Sequence, residues 1–171
     1  MRLTEHIYLV GSGGMGFDIS NPYDCHIYLI DGGSEMALVD AGAGIDIEPV
    51  LENIRFDGLD PERLTRILLT HAHADHAGGC RAWHDAFGLQ VVASRDAARY
   101  ISDGDEEKTS LTTARQFYPE GYRLQSCPVE TAIPDGESVQ VGTLTLRAME
   151  TPGHCSGMLA WQFEEDGRSV L

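Results

Sequence analysis

The stretch THAHADHAGG, residues 70–79, places three histidines and one aspartate within six positions, 71–76. It follows the apolar run RILLT (66–70), which reads as a short, buried strand. Side chains alternate faces on extended backbone, so His71 and His73 point the same way and can share one metal ion. Asp75 and His76 come after a short turn that redirects them toward a neighbouring position. Gly78 and Gly79 permit that tight geometry and lead into a helix over residues 77–87, with Gly88 as its stop. Imidazole suits zinc, iron and similar ions, and a carboxylate adds a harder ligand. A lone histidine in such a loop reads as structural; this set directly after a buried strand reads as a metal site.

A catalytic zinc usually takes three protein ligands and keeps one position for water. His71 and His73 supply two. The stretch ETPGHCSG (150–157) offers a third, His154, in a Pro/Gly turn between strands. His6 and His26 sit inside strand patterns and His84 on a helix, so these three read as structural. Cys155, beside His154, reads as a small buried thiol.

Outward from the cluster, strand-like and helix-like runs alternate. HIYLV (6–10) reads as a strand, and CHIYLID (25–31) with EMALVD (35–40) as a hairpin about GGS. Residues 46–57 carry Ile47, Val50, Leu51 and Ile54 at helical spacing, with Pro49 in the first turn. LQVVAS (89–94) reads as another strand. Residues 95–118 read as polar helix, broken near SDGDEE. Residues 138–150 alternate in period two about a glycine turn, and MLAWQF (158–163), EEDG and RSVL begin a last hairpin. The pattern describes one domain over 1–171, with sheets covered by helices rather than a purely parallel sheet.

GSGGMG (11–16) matches G-x-G-x-x-G, but a dinucleotide site needs a helix to start there. The chain continues as FDISNPYDC, where Asn21-Pro22 holds the backbone extended. The glycines therefore read as a loop at a pocket rim. The net charge of −15 repels phosphate backbones and argues against a general nucleic-acid binder. No apolar run is long enough to span a bilayer and no signal peptide is evident. Four scattered cysteines without a C-x-x-C pair suit reduced thiols, so a cytoplasmic location is expected.

With THAHADHAGG, TPGHCSG and LVDAG (38–42) in hand, the chain resembles the metallo-β-lactamase superfamily. The resemblance runs through nearly all of the sequence. It implies an α/β (α+β) αββα sandwich: two mixed sheets face to face, helices outside. It implies His71, His73 and His154 on a first metal, and Asp75 and His76 on a second. It puts Asp40 behind them, orienting the loop that carries the ligands. A bridging Asp and a last His of the family pattern are not in the sequence, which ends at Leu171 where the strand toward that Asp should run. The expectation is therefore a longer polypeptide, with sheet edges and apolar surface uncovered in this part of it.

The function implied is a metal-dependent hydrolase. Water activated by two zinc ions, or by iron or manganese, attacks a carbonyl of a thioester, lactone or amide, with Asp75 helping to orient it. The expected partner is a small-molecule substrate, without nucleic acid or membrane; a homodimer is left open. A glyoxalase II-like thioesterase or a lactonase suits a chain without a secretion signal better than a β-lactamase. A tRNA-processing nuclease shares the cluster, but the charge opposes it. A persulfide dioxygenase with one iron is the alternative enzyme, and a degenerate metal-binding domain the alternative non-enzyme. Loops rather than the metal centre set substrate choice; loop 11–24 and segment 95–125 are the candidates for the pocket rim, and their aromatics Phe17, Tyr23, Phe117, Tyr118 and Tyr122 either line the pocket or pack the segments down.

Overall fold

The computed structural model describes residues 1–170; Leu171, the end of the expected last hairpin, lies outside the described residues. In chain order the strands are β1 (Ile7–Gly11), β2 (Ile27–Asp31), β3 (Met36–Val39), β4 (Leu64–Leu68), β5 (Gln90–Ala93), β6 (Thr131–Ala132), β7 (Ser138–Val141), β8 (Leu144–Glu150), β9 (Leu159–Glu165) and β10 (Arg168–Val170). The α-helices are α1 (Glu48–Phe56), α2 (Ala74–Ala77), α3 (Cys80–Phe87), α4 (Arg95–Asp103) and α5 (Leu111–Ala114).

β1 to β6 form one sheet in sequence order. β1, β2 and β3 pair antiparallel, then β4, β5 and β6 add in parallel. The second sheet runs β10-β9-β8-β7 and is antiparallel throughout. The two sheets lie face to face, as expected, with helices outside. Of the two sheets only the first is mixed, and α1, α3 and α4 pack against it.

Period-two alternation divides the apolar residues of the first sheet between two cores. Leu29, Leu38, Ile67 and Val91 face the helices and meet Ile54, Trp83 and Ile101. Ile30, Ala37, Leu68 and Val92 face the second sheet and meet Leu146, Trp161 and Phe163. Each of the larger aliphatic side chains among them contributes about 1.5–3 kcal/mol by burial.

One expectation shifts and one element is new. The helix expected over 77–87 is two pieces: α2 begins earlier, at Ala74, and α3 starts at Cys80. Gly79 separates them: its N–H donates out to Gly42 O at 2.8 Å, and a Cβ there would stand 2.1 Å from the Ala41 carbonyl oxygen. β6, two residues long, is too short for any periodic signal. Residues 12–26 contain no helix, as expected for the glycine loop. Between the sheets lies a groove of about 710 Å³, lined by Ile7, Tyr28, Ile30, Trp161, Phe163 and Val170.

Candidate metal centre

The site lies where the loop after β4 meets the loop between β8 and β9. β4 ends at Leu68, so His71 and His73 stand in loop backbone rather than on the strand. His73 caps α2 from extended backbone, and α2 itself carries Asp75 and His76. The loop after β3 clasps this turn: His76 O accepts from Ala41 N at 2.7 Å and Gly42 O accepts from Gly79 N at 2.8 Å.

The imidazoles converge. Ring centroids of His71 lie 4.6 Å from His73, 4.1 Å from His76 and 5.0 Å from His154. His154 Nε2 is 3.0 Å from His73 Nδ1. Two nitrogens bound to one tetrahedral metal at 2.0–2.1 Å stand about 3.3 Å apart, so this spacing suits a shared ion. The loop carrying His154 is anchored on α4, where Ser156 Oγ donates to the Asp96 carboxylate.

Asp40 organises the cluster from behind. It is buried and sits at φ 65°, a left-handed conformation uncommon outside glycine. One carboxylate oxygen accepts from Thr70 N at 2.8 Å. The other accepts from Thr70 Oγ1 at 2.8 Å and from His76 Nδ1 at 2.7 Å. With its proton committed to Asp40, Thr70 Oγ1 accepts from His71 Nδ1, 2.9 Å away. Both histidines therefore hold their proton on Nδ1 and keep a bare Nε2. The His71 Nε2 is buried and has no hydrogen-bond partner among the described residues. Such an atom calls for an explanation, and a metal is one that suits a neutral imidazole. The His76 Nε2 lies 3.5 Å from the Asp75 carboxylate, so these two offer a second, neighbouring donor pair. The donor set fits one or two divalent ions. Thr70 carries no metal-site signal of its own in the sequence; only its place directly before His71 points to it.

The electrostatics set His76 apart from His71 and His73. Burial, then the neighbouring imidazoles, pushes His71 down to about 3. Burial and the nearby His154 lower His73 as well. Burial would lower His76 too, but the hydrogen bond and charge of Asp40, with Asp75, outweigh it and raise the group.

Two cysteines stand close by. Cys155 Sγ lies within 4.8 Å of donor atoms on His71 and His73, and Cys25 Sγ within 4.8 Å of donor atoms on Asp40 and His76. Burial raises both thiols, so each must lose a firmly held proton before it could bind a metal. His154 is the readier third donor on its loop. Cys25 instead donates to the His26 carbonyl at 3.3 Å.

The expected rim aromatics divide. Tyr23 and Tyr118 stack at 6.1 Å and, with Phe117, line a depression of about 490 Å³ beside Asp75 and His76. Phe17 is exposed, 5.7 Å from the His26 ring. Tyr122 donates to the Ala43 carbonyl at 2.7 Å and packs the segment down. His6 Nδ1 bonds the Asp31 carbonyl, and His84 lies between Asp85 and Glu130. His26, however, is exposed and lines both the groove and the depression.

The sequence profile of the Metallo-beta-lactamase superfamily matches residues 20–168. A hydroxyacylglutathione hydrolase of Rhodopseudomonas palustris is 36% identical over 110 residues, 63% of this chain and 33% of that protein. A probable metallo-hydrolase of Bacillus subtilis, YybB, is 25% identical over 170 residues, 99% of this chain and 69% of its own length. Among solved structures, a metallo-beta-lactamase of Cronobacter sakazakii superposes with TM-score 0.80 at 24% identity, over 99% of this chain and 61% of that one. A subclass B3 metallo-beta-lactamase of Bradyrhizobium japonicum does so with TM-score 0.77 at 23% identity, over 99% and 58%. The chain thus spans about a third of the Rhodopseudomonas relative, at 33%, and three fifths of these structures, at 58% and 61%. With the profile matched from 20 to 168 and the layered fold shared, this chain belongs to the metallo-beta-lactamase superfamily.

Proposed function

We propose that the protein is a zinc-dependent hydrolase of small acyl compounds, with thioesters as the first class to test. The observation that carries this is the bare, buried Nε2 of His71 within a converging set of imidazoles. The similarity to hydroxyacylglutathione hydrolases supports the thioester, as does a depression of about 490 Å³ beside Asp75 and His76.

His71, His73 and His154 would hold one ion, and Asp75 and His76 would take part in holding a second. A divalent metal there lowers the pKa of water and polarises a carbonyl. The chain's own residues prepare that chemistry. Asp40 and Thr70 keep the Nδ1 protons of His76 and His71 in place, so both rings present Nε2 without reorganising. The half-buried Asp75 carboxylate accepts a hydrogen bond from the attacking water and turns its lone pair toward the acyl carbon. The Tyr23–Tyr118 stack supplies an apolar wall that holds the acyl group and limits water.

The test is metal analysis together with a hydrolysis screen over hydroxyacylglutathione, other thioesters, lactones and β-lactams. Two zincs and thioester turnover are expected. A chain that takes up no divalent metal, or a His71→Ala variant that hydrolyses as well as the native chain, would sink the proposal. One iron with oxygen consumption would turn it to an oxidoreductase.

A further inference from the structure

The glycine loop has a use that nucleotide binding does not explain. Ser12 is fully buried, and its Oγ has two partners. Phe17 N donates to it at 2.7 Å, and His26 Nδ1 lies 3.0 Å away. A buried hydroxyl needs an acceptor for its own proton. Of these two neighbours only the His26 Nδ1 can accept, because the Phe17 amide is itself a donor. Ser12 therefore donates to Nδ1, and neutral His26 carries its proton on Nε2.

The rest of the loop holds this arrangement. Gly13 N donates to Asp24 O at 3.1 Å and Gly14 N to Pro22 O at 3.0 Å, tying the loop to the segment before β2. A Cβ on Gly16 would stand 2.3 Å from both His26 Cε1 and Ser12 Oγ, so only glycine lets the loop close over the ring. The GSGGMG pattern is thus a clamp on one imidazole. That imidazole is exposed, and with His76 it borders both the groove and the depression. It belongs to neither group of metal-capable side chains among the described residues.

We infer that His26 is a substrate-binding residue whose Nε2–H donates a hydrogen bond to an acyl or carboxylate oxygen held at the metal centre, with Ser12 and Gly16 as its positioning residues. The inference rests on the hydrolase reading for the identity of the ligand. The tautomer and the anion contact can be measured without turnover.

Two measurements on the zinc-loaded chain test it. Long-range proton–nitrogen NMR at neutral pH should show His26 protonated on Nε2, and Ser12→Ala should lose that fixed tautomer. An Nδ1–H tautomer in the native chain overturns the proposal. Acetate, a minimal acyl oxygen probe, is then titrated and followed at the His76 signals. Loss of a hydrogen bond worth about 0.5–1.5 kcal/mol predicts a Kd raised about two- to twelvefold in His26→Phe. His26→Gln, whose amide N–H can replace Nε2–H, should return the Kd to near the native value. An unchanged Kd in His26→Phe overturns the proposal, as does loss of zinc from that variant. If both measurements hold while the substrate screen fails, the hydrolase reading falls and the anion-binding donor stands.

Discussion

Asp40 shows how much one residue can carry. It holds a strained φ of 65° while accepting from Thr70 N, Thr70 Oγ1 and His76 Nδ1. Asp40→Ala leaves the Thr70 amide and the His76 Nδ1–H without acceptors. Such orphans predict a loss of about 2–3 kcal/mol in denaturant unfolding of the metal-free chain. Zinc affinity should fall about 10–100-fold by calorimetric titration, because the rings lose their orientation. Native affinity in that variant would show that the ligands hold their own geometry. The cysteines give a second check at this scale. Cys25, Cys80 and Cys127 are buried, and burial pushes Cys127 up to about 11. At about pH 8, roughly one in a thousand of such a thiol is thiolate. Iodoacetamide should label the half-buried Cys155 alone in the native chain and four cysteines after denaturation, read by mass spectrometry. Native labelling of Cys80 would contradict the packing of α3.

Elements were legible where their period was strong. The spacing of Val50, Leu51 and Ile54 located α1, and all three are buried. Gly88 ends α3 at φ 67°, as a left-handed cap should. The α2 start escaped the sequence because nothing in AHADHA marks a helical turn; its first residue is held by Ala74 N donating to Thr109 O. Two glycines separate backbone conformation from close approach. A Cβ on Gly88 meets nothing within 4 Å, so Gly88→Ala should cost only the left-handed penalty, about 1–2 kcal/mol. At Gly79 a Cβ stands 2.1 Å from Ala41 O, and the loop after β3 must shift. Gly79→Ala should cost about 3 kcal/mol or more and weaken zinc as well, since Ala41 follows Asp40. Denaturation and zinc titration of both variants test this, and equal zinc affinity would show that the clasp does not set the site.

At the scale of the molecule, the centre exists only because the two sheets dock. Trp161 on β9 donates from Nε1 to Leu69 O at 3.2 Å, and Leu159 N donates to Thr70 O at 2.7 Å. The second sheet thus grips the segment leading into His71 and also delivers His154. Trp161→Phe keeps an aromatic ring but orphans that carbonyl, a cost of about 1–3 kcal/mol. Thermal melts should show a lower Tm for this variant and a smaller rise on adding zinc; a full zinc response would uncouple docking from the site. From its local pattern the sequence alone determined the clustering of the metal-capable side chains His71, His73, Asp75 and His76, and most strands and helices. Those features depend on neighbours a few positions apart, and periodicity reports them. Only the tertiary structure decided that His154, 81 residues from His73, arrives 3.0 Å from it. It also decided that Thr70 and Asp40 set the tautomers, and that a glycine loop clamps His26. Those contacts join segments distant in sequence, and close packing fixes them where no local period can.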